Sequence, residues 1–286
     1  MTSRSTPHSA QHLTPHLTRY ALYFAPSPAS PWWTAGCRWL GRDAITDTEF
    51  TQMPIPGISL LALAKWTYVA RRYGFHATLK APFRLANGFS ESDLATMAQA
   101  FSATQTPFVL EPMQVQPLGD FLALRPSGAH EQTRAMAMRC VRSFDALRAP
   151  LTAAELAQRR KLGLTDRQEI LLTRWGYPYT EEEFHFHMTL TDGLRGVRPE
   201  IVEAIRLAAE EHFAAAIRTG SPVIDALTIF REEQPGAPFC VWRRFPFRPA
   251  QQDVIEPSAT IVQIAPHHTA GATAIGRNIS RVLGQE

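Results

Sequence analysis

RRYGFHATLK (residues 71–80) and FHFHMTLTDG (residues 184–193) are two stretches of one chain that share the wording His-x-Thr-Leu. Each sets a His two residues ahead of a Thr, inside a run of aromatic and apolar residues that favours a β-strand. In a strand, residues i and i+2 point to one face, so His76 projects with Thr78, and His187 with Thr189. One imidazole beside one hydroxyl is a poor metal site and a modest hydrogen-bonding site. Two such pairs facing each other can do more. The hydroxyls can donate to the non-bridging oxygens of a phosphate, while two imidazoles, with ordinary pKa values near 6.5, flank its bridging oxygens as acid and base.

What surrounds the two copies repeats as well. After the first comes SESDLATMAQAFSATQ (90–105), with Ser90 as N-cap, Asp93 three residues on, and Leu94, Met97 and Phe101 at helical spacing. FVLEPMQVQPLGDFLALRP (108–126) then places Gly119-Asp120 between two apolar runs, a hairpin-like strand pair. After the second copy, RPEIVEAIRLAAEEHFAAAIR (198–218) is an amphipathic helix, followed by strands over 222–232 and 238–247 with a Gln234-Pro235-Gly236-Ala237 turn. Motif strand, helix and hairpin thus occur twice in one order, the mark of a degenerate internal duplication. Two related lobes would set the motif strands around a pseudo-two-fold axis, so that copies far apart in sequence meet.

The remainder of the chain frames this unit. RYALYFAP (19–26) reads as a buried first strand, and SPWWTAGCRWLGR (30–42) as a helix with Pro31 at its start and Gly41 as its stop. Residues 43–57 read as loop; helices are predicted from about Glu131 to Asp145 and from about Ala153 to Leu162. Residues 1–18, rich in Ser, Thr, His and Pro, read as a disordered leader, and 249–286, polar and without period, as a mostly disordered tail with a short helix near Ile275–Leu283. One domain over 19–248 is left between them.

Composition narrows the function classes. The 286 residues are 45% hydrophobic and 19% charged, values of a globular protein with a real core. No apolar run suits a membrane helix. A net charge of +3, without an arginine-rich patch, argues against a nucleic-acid partner and for a small anionic one. Three scattered cysteines, Cys37, Cys140 and Cys240, fit neither a disulfide framework nor a Cys-x-x-Cys metal site, and point to a reducing cytoplasm.

GFHATLKAP with FHFHMTL resembles the two-histidine phosphoesterase superfamily, whose members carry two His-x-Thr/Ser motifs. RYALYFAP, CRWLGRD, RRYGFHATLKAPFRLANG and RQEILLTRWGYPY are similar to the branch of it encoded in bacterial phosphonate-utilisation gene clusters. The resemblance covers roughly residues 19–248. It implies a bilobal, duplicated α+β fold, with two antiparallel sheets flanking a central cleft and helices outside. It also implies His76 and His187 as the acid/base pair and Thr78 and Thr189 as phosphate ligands. The activity it implies is a metal-independent phosphodiesterase acting on a small cyclic phosphodiester of a sugar or nucleotide in phosphonate metabolism; no cofactor and a monomeric chain are expected. The alternative is a non-catalytic nucleotide or sugar-phosphate binding module of the same fold.

Further residues are candidates for substrate contact. His185 shares a face with His187, but its counterpart in the first copy is Gly74, which makes it a rim or packing residue. Lys80 continues the face of His76 and Thr78 and reads as an exposed strand-end lysine. Tyr20, Tyr73 and Tyr177 can stack on a ring or bond a phosphate, although tyrosines beside strands usually belong to the core. Arg71, Arg72, Arg159 and Arg160 are candidate anion clamps.

Overall fold

The computed structural model of the chain describes residues 17–128, 131–161 and 163–248. The expected leader lies outside the described residues except for its last two, and the expected tail, with its short helix, lies wholly outside them. The chain is a mixed α+β protein. Its strands are β1 (Arg19–Phe24), β2 (Ala77–Phe83), β3 (Phe108–Val109), β4 (Met113–Leu118), β5 (Phe121–Pro126), β6 (Met188–Thr189), β7 (Val223–Ile224), β8 (Ala226–Glu232) and β9 (Cys240–Pro246). Its helices are α1 (Pro31–Leu40), α2 (Leu60–Trp66), α3 (Tyr68–Tyr73), α4 (Glu91–Ala103), α5 (Glu131–Ser143), α6 (Ala153–Arg160), α7 (Asp166–Trp175) and α8 (Pro199–Arg218).

Seven strands form one antiparallel sheet in the order β4-β5-β6-β2-β1-β8-β9, and β3 pairs with β7 in a second, two-stranded sheet. This differs from the expected pair of sheets flanking a cleft: the two motif strands are direct neighbours in a single sheet. The repeated order is present, as β2-α4-β3-β4-β5 and again as β6-α8-β7-β8-β9. Each hairpin sits on the far side of the other copy's motif strand, since β5 pairs with β6, while β8 is separated from β2 by β1.

Local chemistry sets these elements. Ser30 caps α1 from its side chain, Pro31 opens it, and Gly41 ends it in a left-handed conformation. Ser90 and Asp93 form a reciprocal capping box on α4. Around the second motif the alternation is strict. Phe184, Phe186, Met188 and Leu190 are buried, while His187 and Thr189 between them are partly exposed. The buried set packs with Phe75 and Leu79 of the first copy, Leu94 and Phe101 of α4, and Ile205, Ala209 and Phe213 of α8. Each fully buried large apolar side chain stabilises the fold by about 1.5–3 kcal/mol, so this shared core fixes which face of each motif strand looks outward. Gly36 in α1 has a steric role here, because a Cβ on it would lie 2.1 Å from the Phe75 ring. No helix among the described residues is long and apolar enough to cross a membrane.

Candidate functional site

The pairing Ala77↔Met188 in antiparallel sense fixes the geometry of the two motifs. One residue to either side, His76 stands opposite Thr189, and Thr78 opposite His187. All four side chains therefore lie on one face of adjacent strands, each imidazole facing the other copy's threonine. Directly opposed residues of an antiparallel pair have Cβ atoms about 4.5–5.5 Å apart, within reach of one ligand. The copies meet side by side in one sheet rather than across a gap between two.

Both imidazoles are held in the same way. His76 Nδ1 lies 2.8 Å from the Gly74 carbonyl oxygen, and His187 Nδ1 lies 2.8 Å from that of His185. A carbonyl can only accept, so each Nδ1 carries the proton and each neutral ring offers an unprotonated Nε2. The Thr78 hydroxyl donates to His76 Nε2 at 3.3 Å. Burial is the main cause lowering the His76 pKa to about 4, and the neighbouring His187 lowers it further. His187 is lowered as well, first by burial and then by the Arg125 and His185 charges. Both rings are thus neutral at pH 7.

The surroundings of the copies differ. His76 stacks on Tyr23 of β1, centroids 3.7 Å apart and planes at 17°. His187 meets the Phe121 ring at 5.6 Å and borders a cavity of about 360 Å³. Thr78, Lys80, Phe121, Tyr177, His185 and His187 line that cavity, roofed by Met138 and Val141 of α5.

The other sequence candidates separate cleanly. His185 is exposed and lines the cavity. Tyr73 lies 6.3 Å from His76, ring to ring, and stacks on Phe239. Tyr177 lines the cavity, burial pushing its hydroxyl up to about 12. Tyr20 is not brought to this face. Its ring joins the main core, where Tyr23 does not, and its hydroxyl donates to Glu91 at 2.6 Å. Lys80 corrects the expectation of an exposed lysine: it is 4% exposed, with Nζ 3.2 Å from both Asp145 Oδ1 and the Val141 carbonyl. Burial lowers its pKa to about 8, opposed by Asp145. The structure covers it with α5, which nothing within the motif encodes.

Of the arginine candidates, Arg71 pairs with Glu49, Arg72 with Glu232 and Arg160 with Glu169. Arg159 has no carboxylate at ion-pair distance among the described residues, and stands 5.6 Å over the Tyr177 ring. Tyr23 escaped the sequence reading. Its parity in β1 is opposite to that of Tyr20, but no local signal says that β1 lies beside β2. Among the described residues no cluster of three or more His, Cys, Asp or Glu is placed to hold a metal ion.

Comparison with known proteins adds identity to this geometry. Residues 78–240 match the family described as "Protein of unknown function (DUF1045)". The chain is 56% identical over 231 residues to a Janthinobacterium sp. (strain Marseille) protein named "Ribose 1,5-bisphosphate phosphokinase PhnN", covering 81% of this chain and 51% of that protein. It is 38% identical over 229 residues to a Laribacter hongkongensis (strain HLHK9) protein of the same name, covering 79% and 51%. The chain thus spans about half the length of the curated relatives it matches. The family's description names no function, whereas both relatives are named as phosphokinases. They also correct the expected activity. A phosphokinase adds a phosphoryl group, so the relatives' name overturns the reading as a metal-independent phosphodiesterase, a hydrolase.

Proposed function

The chain belongs to the DUF1045 family, and with its relatives named as phosphokinases we propose that its histidine–threonine face is the sugar-phosphate-binding site of a ribose-phosphate phosphotransferase of phosphonate utilisation. The observation that carries the reading is the alternation of two neutral imidazoles and two hydroxyls on one sheet face, beside a cavity large enough for a small phosphorylated sugar. On binding, Thr78 turns its hydroxyl from His76 Nε2 and with Thr189 donates to phosphate oxygens, and Arg159, without a carboxylate of its own among the described residues, neutralises the charge. The two Nε2 lone pairs accept hydrogen bonds from sugar hydroxyls. A neutral imidazole in that position can also take the proton of a hydroxyl that receives a phosphoryl group. Tyr177 and Tyr73 flank the ligand, and His185 stands at the rim.

The phosphoryl donor is assigned elsewhere. The sequence contains no Gly-Lys pair, and so no glycine-rich loop ending in Lys-Ser or Lys-Thr to cradle nucleotide phosphates. The face described here is an acceptor site, working with whatever part of the longer relatives binds the donor. The repeated strand, helix and hairpin order is read as a duplication that generated the two halves of this site.

Calorimetric titration of the chain with ribose 5-phosphate and with ribose tests the reading. The phosphorylated sugar is expected to bind and ribose to fail, and the Thr78→Val, Thr189→Val pair to weaken binding about tenfold or more. Equal affinity for the two sugars, or an unaffected double variant, overturns it.

A further inference from the structure

A phosphate held by the histidine–threonine quartet meets no charge there, since both imidazoles are neutral at pH 7. A phosphate monoester carries about 1.5–2 negative charges at that pH, and Arg159 brings a single positive one. A second cation is close by. Lys80 follows Thr78 by two residues on β2, and Thr78, Lys80, His185 and His187 all line one cavity. Between Thr78 and Lys80 the strand bulges against β1, with Thr78 opposite Tyr23 and Lys80 opposite Leu22. Bulges re-aim side chains beside sites, and here Lys80 is turned under α5, 4% exposed.

Bonding around the ammonium leaves it free to move. It can donate three hydrogen bonds, and it has two acceptors among the described residues, Asp145 Oδ1 and the Val141 carbonyl, each at 3.2 Å. Asp145 does not depend on it. Arg148 grips both oxygens of that carboxylate, through Nε at 2.8 Å and Nη2 at 3.3 Å. One carboxylate thus serves two cations, and the buried group carries one positive charge in excess. An excess charge away from water is costly until an anion meets it, and burial has already lowered the Lys80 pKa to about 8. Two residues of a strand span at most about 6.8 Å, a gap that the flexible four-carbon lysine stem crosses by pivoting.

We propose that Lys80 is a further binding residue for the phosphate held by the quartet: on binding, its ammonium turns from Asp145 to a phosphate oxygen, while Arg148 keeps Asp145 paired. The inference rests on the sugar-phosphate reading of the quartet and adds to it the charge of the group bound. Lys80 and Arg159 together balance the dianion of a phosphate monoester, with the imidazoles neutral throughout. Asp145 is then the resting partner of the lysine, not its permanent one.

The test is calorimetry on the whole chain with ribose 5-phosphate, for the wild type, Lys80→Met and Asp145→Asn, with circular dichroism to check folding. Lys80→Met is expected to fold, because methionine fills similar space and Arg148 still pairs with Asp145, and to weaken binding about tenfold or more. Asp145→Asn is expected to bind at least as tightly as the wild type, since the ammonium then has no rival carboxylate. Both variants break the same tie between β2 and α5, so a purely structural lysine would make them act alike. Binding unchanged in Lys80→Met, or weakened by Asp145→Asn as much as by Lys80→Met, overturns the assignment of Lys80 while the quartet reading stands. Should Lys80→Met misfold, Asp145→Asn decides alone: equal or tighter binding supports the assignment, and weaker binding overturns it. Failure of ribose 5-phosphate to bind the wild type removes the quartet reading and this inference with it.

Discussion

The two motif copies have the same internal geometry and different neighbours. In both, the imidazole donates to the carbonyl two residues earlier, the Thr shares its face, and the Leu after the Thr is buried. The first copy is a full strand roofed by an aromatic ring; the second is a two-residue strand whose histidine borders a cavity. The difference shows what a duplicated motif can and cannot specify. Local wording fixes tautomer and direction, whereas exposure and pKa come from whatever packs alongside.

The fifth residue of each copy gives the largest contrast. Lys80 and Thr191 occupy equivalent places, and both are buried polar residues that tie a motif strand to a neighbour. Lys80 reaches Asp145, and Thr191 Oγ1 accepts from the Leu122 N–H at 3.0 Å. The charged tie is the more fragile. Asp145→Ala leaves an ammonium buried without its partner and is expected to cost about 3–5 kcal/mol, against about 1–3 kcal/mol for Thr191→Val. Urea unfolding measures both. Adding Lys80→Met to Asp145→Ala is expected to recover part of the loss, because the buried ammonium is then gone while Arg148, which also pairs with Asp145, still lacks its partner. A double variant as weak as Asp145→Ala alone would show that packing, not charge, dominates there.

Acid is expected to separate the two histidines. A His whose folded pKa is depressed below its unfolded value binds fewer protons folded than unfolded, so its contribution is present above the unfolded pKa and is lost as pH falls through the folded one. For His76 the window runs from about 6.5 down to about 4, linked to up to about 3 kcal/mol. His187 acts in the same direction. Urea unfolding at a series of pH values should show stability falling across that window, and His76→Phe should flatten the fall. A profile that His76→Phe leaves unchanged would mean the first ring is no harder to protonate than a solvated one.

Backbone freedom separates the residues two places ahead of each histidine. Gly74 adopts φ +78°, and a Cβ there would meet that of Ala44 at 2.7 Å; its counterpart His185 has no such conformation. Gly74→Ala is expected to destabilise by about 1–3 kcal/mol and His185→Ala by less than about 0.5 kcal/mol. Thermal melts compare them directly. Equal effects would remove the claim that the first copy, unlike the second, requires a glycine there.

How much of this was legible from residues alone follows from range. The alternation around His187, the Ser90–Asp93 box and the Gly119-Asp120 turn are local signals, and they placed strands, helix and hairpin in order. The α7 helix also carried its signals, with Thr165 and Gln168 as a capping box and Gly176 as the stop. The missing part was adjacency. That β1 lies between β2 and β8, bringing Tyr23 onto His76, or that α5 closes over Lys80, depends on contacts far apart in sequence. The pairing that sets Arg125 beside His187 is of the same kind: β5 and β6 are separated by three helices.

Tyr23 offers the finest probe of that adjacency. If the ring face is what keeps His76 in place and out of water, the phenol oxygen is incidental, and Tyr23→Phe should change stability by less than about 0.5 kcal/mol. The His76 ring signals in NMR should then titrate as in the wild type, while those of His187, with no such stack above it, serve as internal reference. An upward move of His76 alone in Tyr23→Phe would assign the neutral state of the first imidazole to a polar contact of the hydroxyl rather than to burial beneath an aromatic face. The contrast between the two copies would then rest on one oxygen atom.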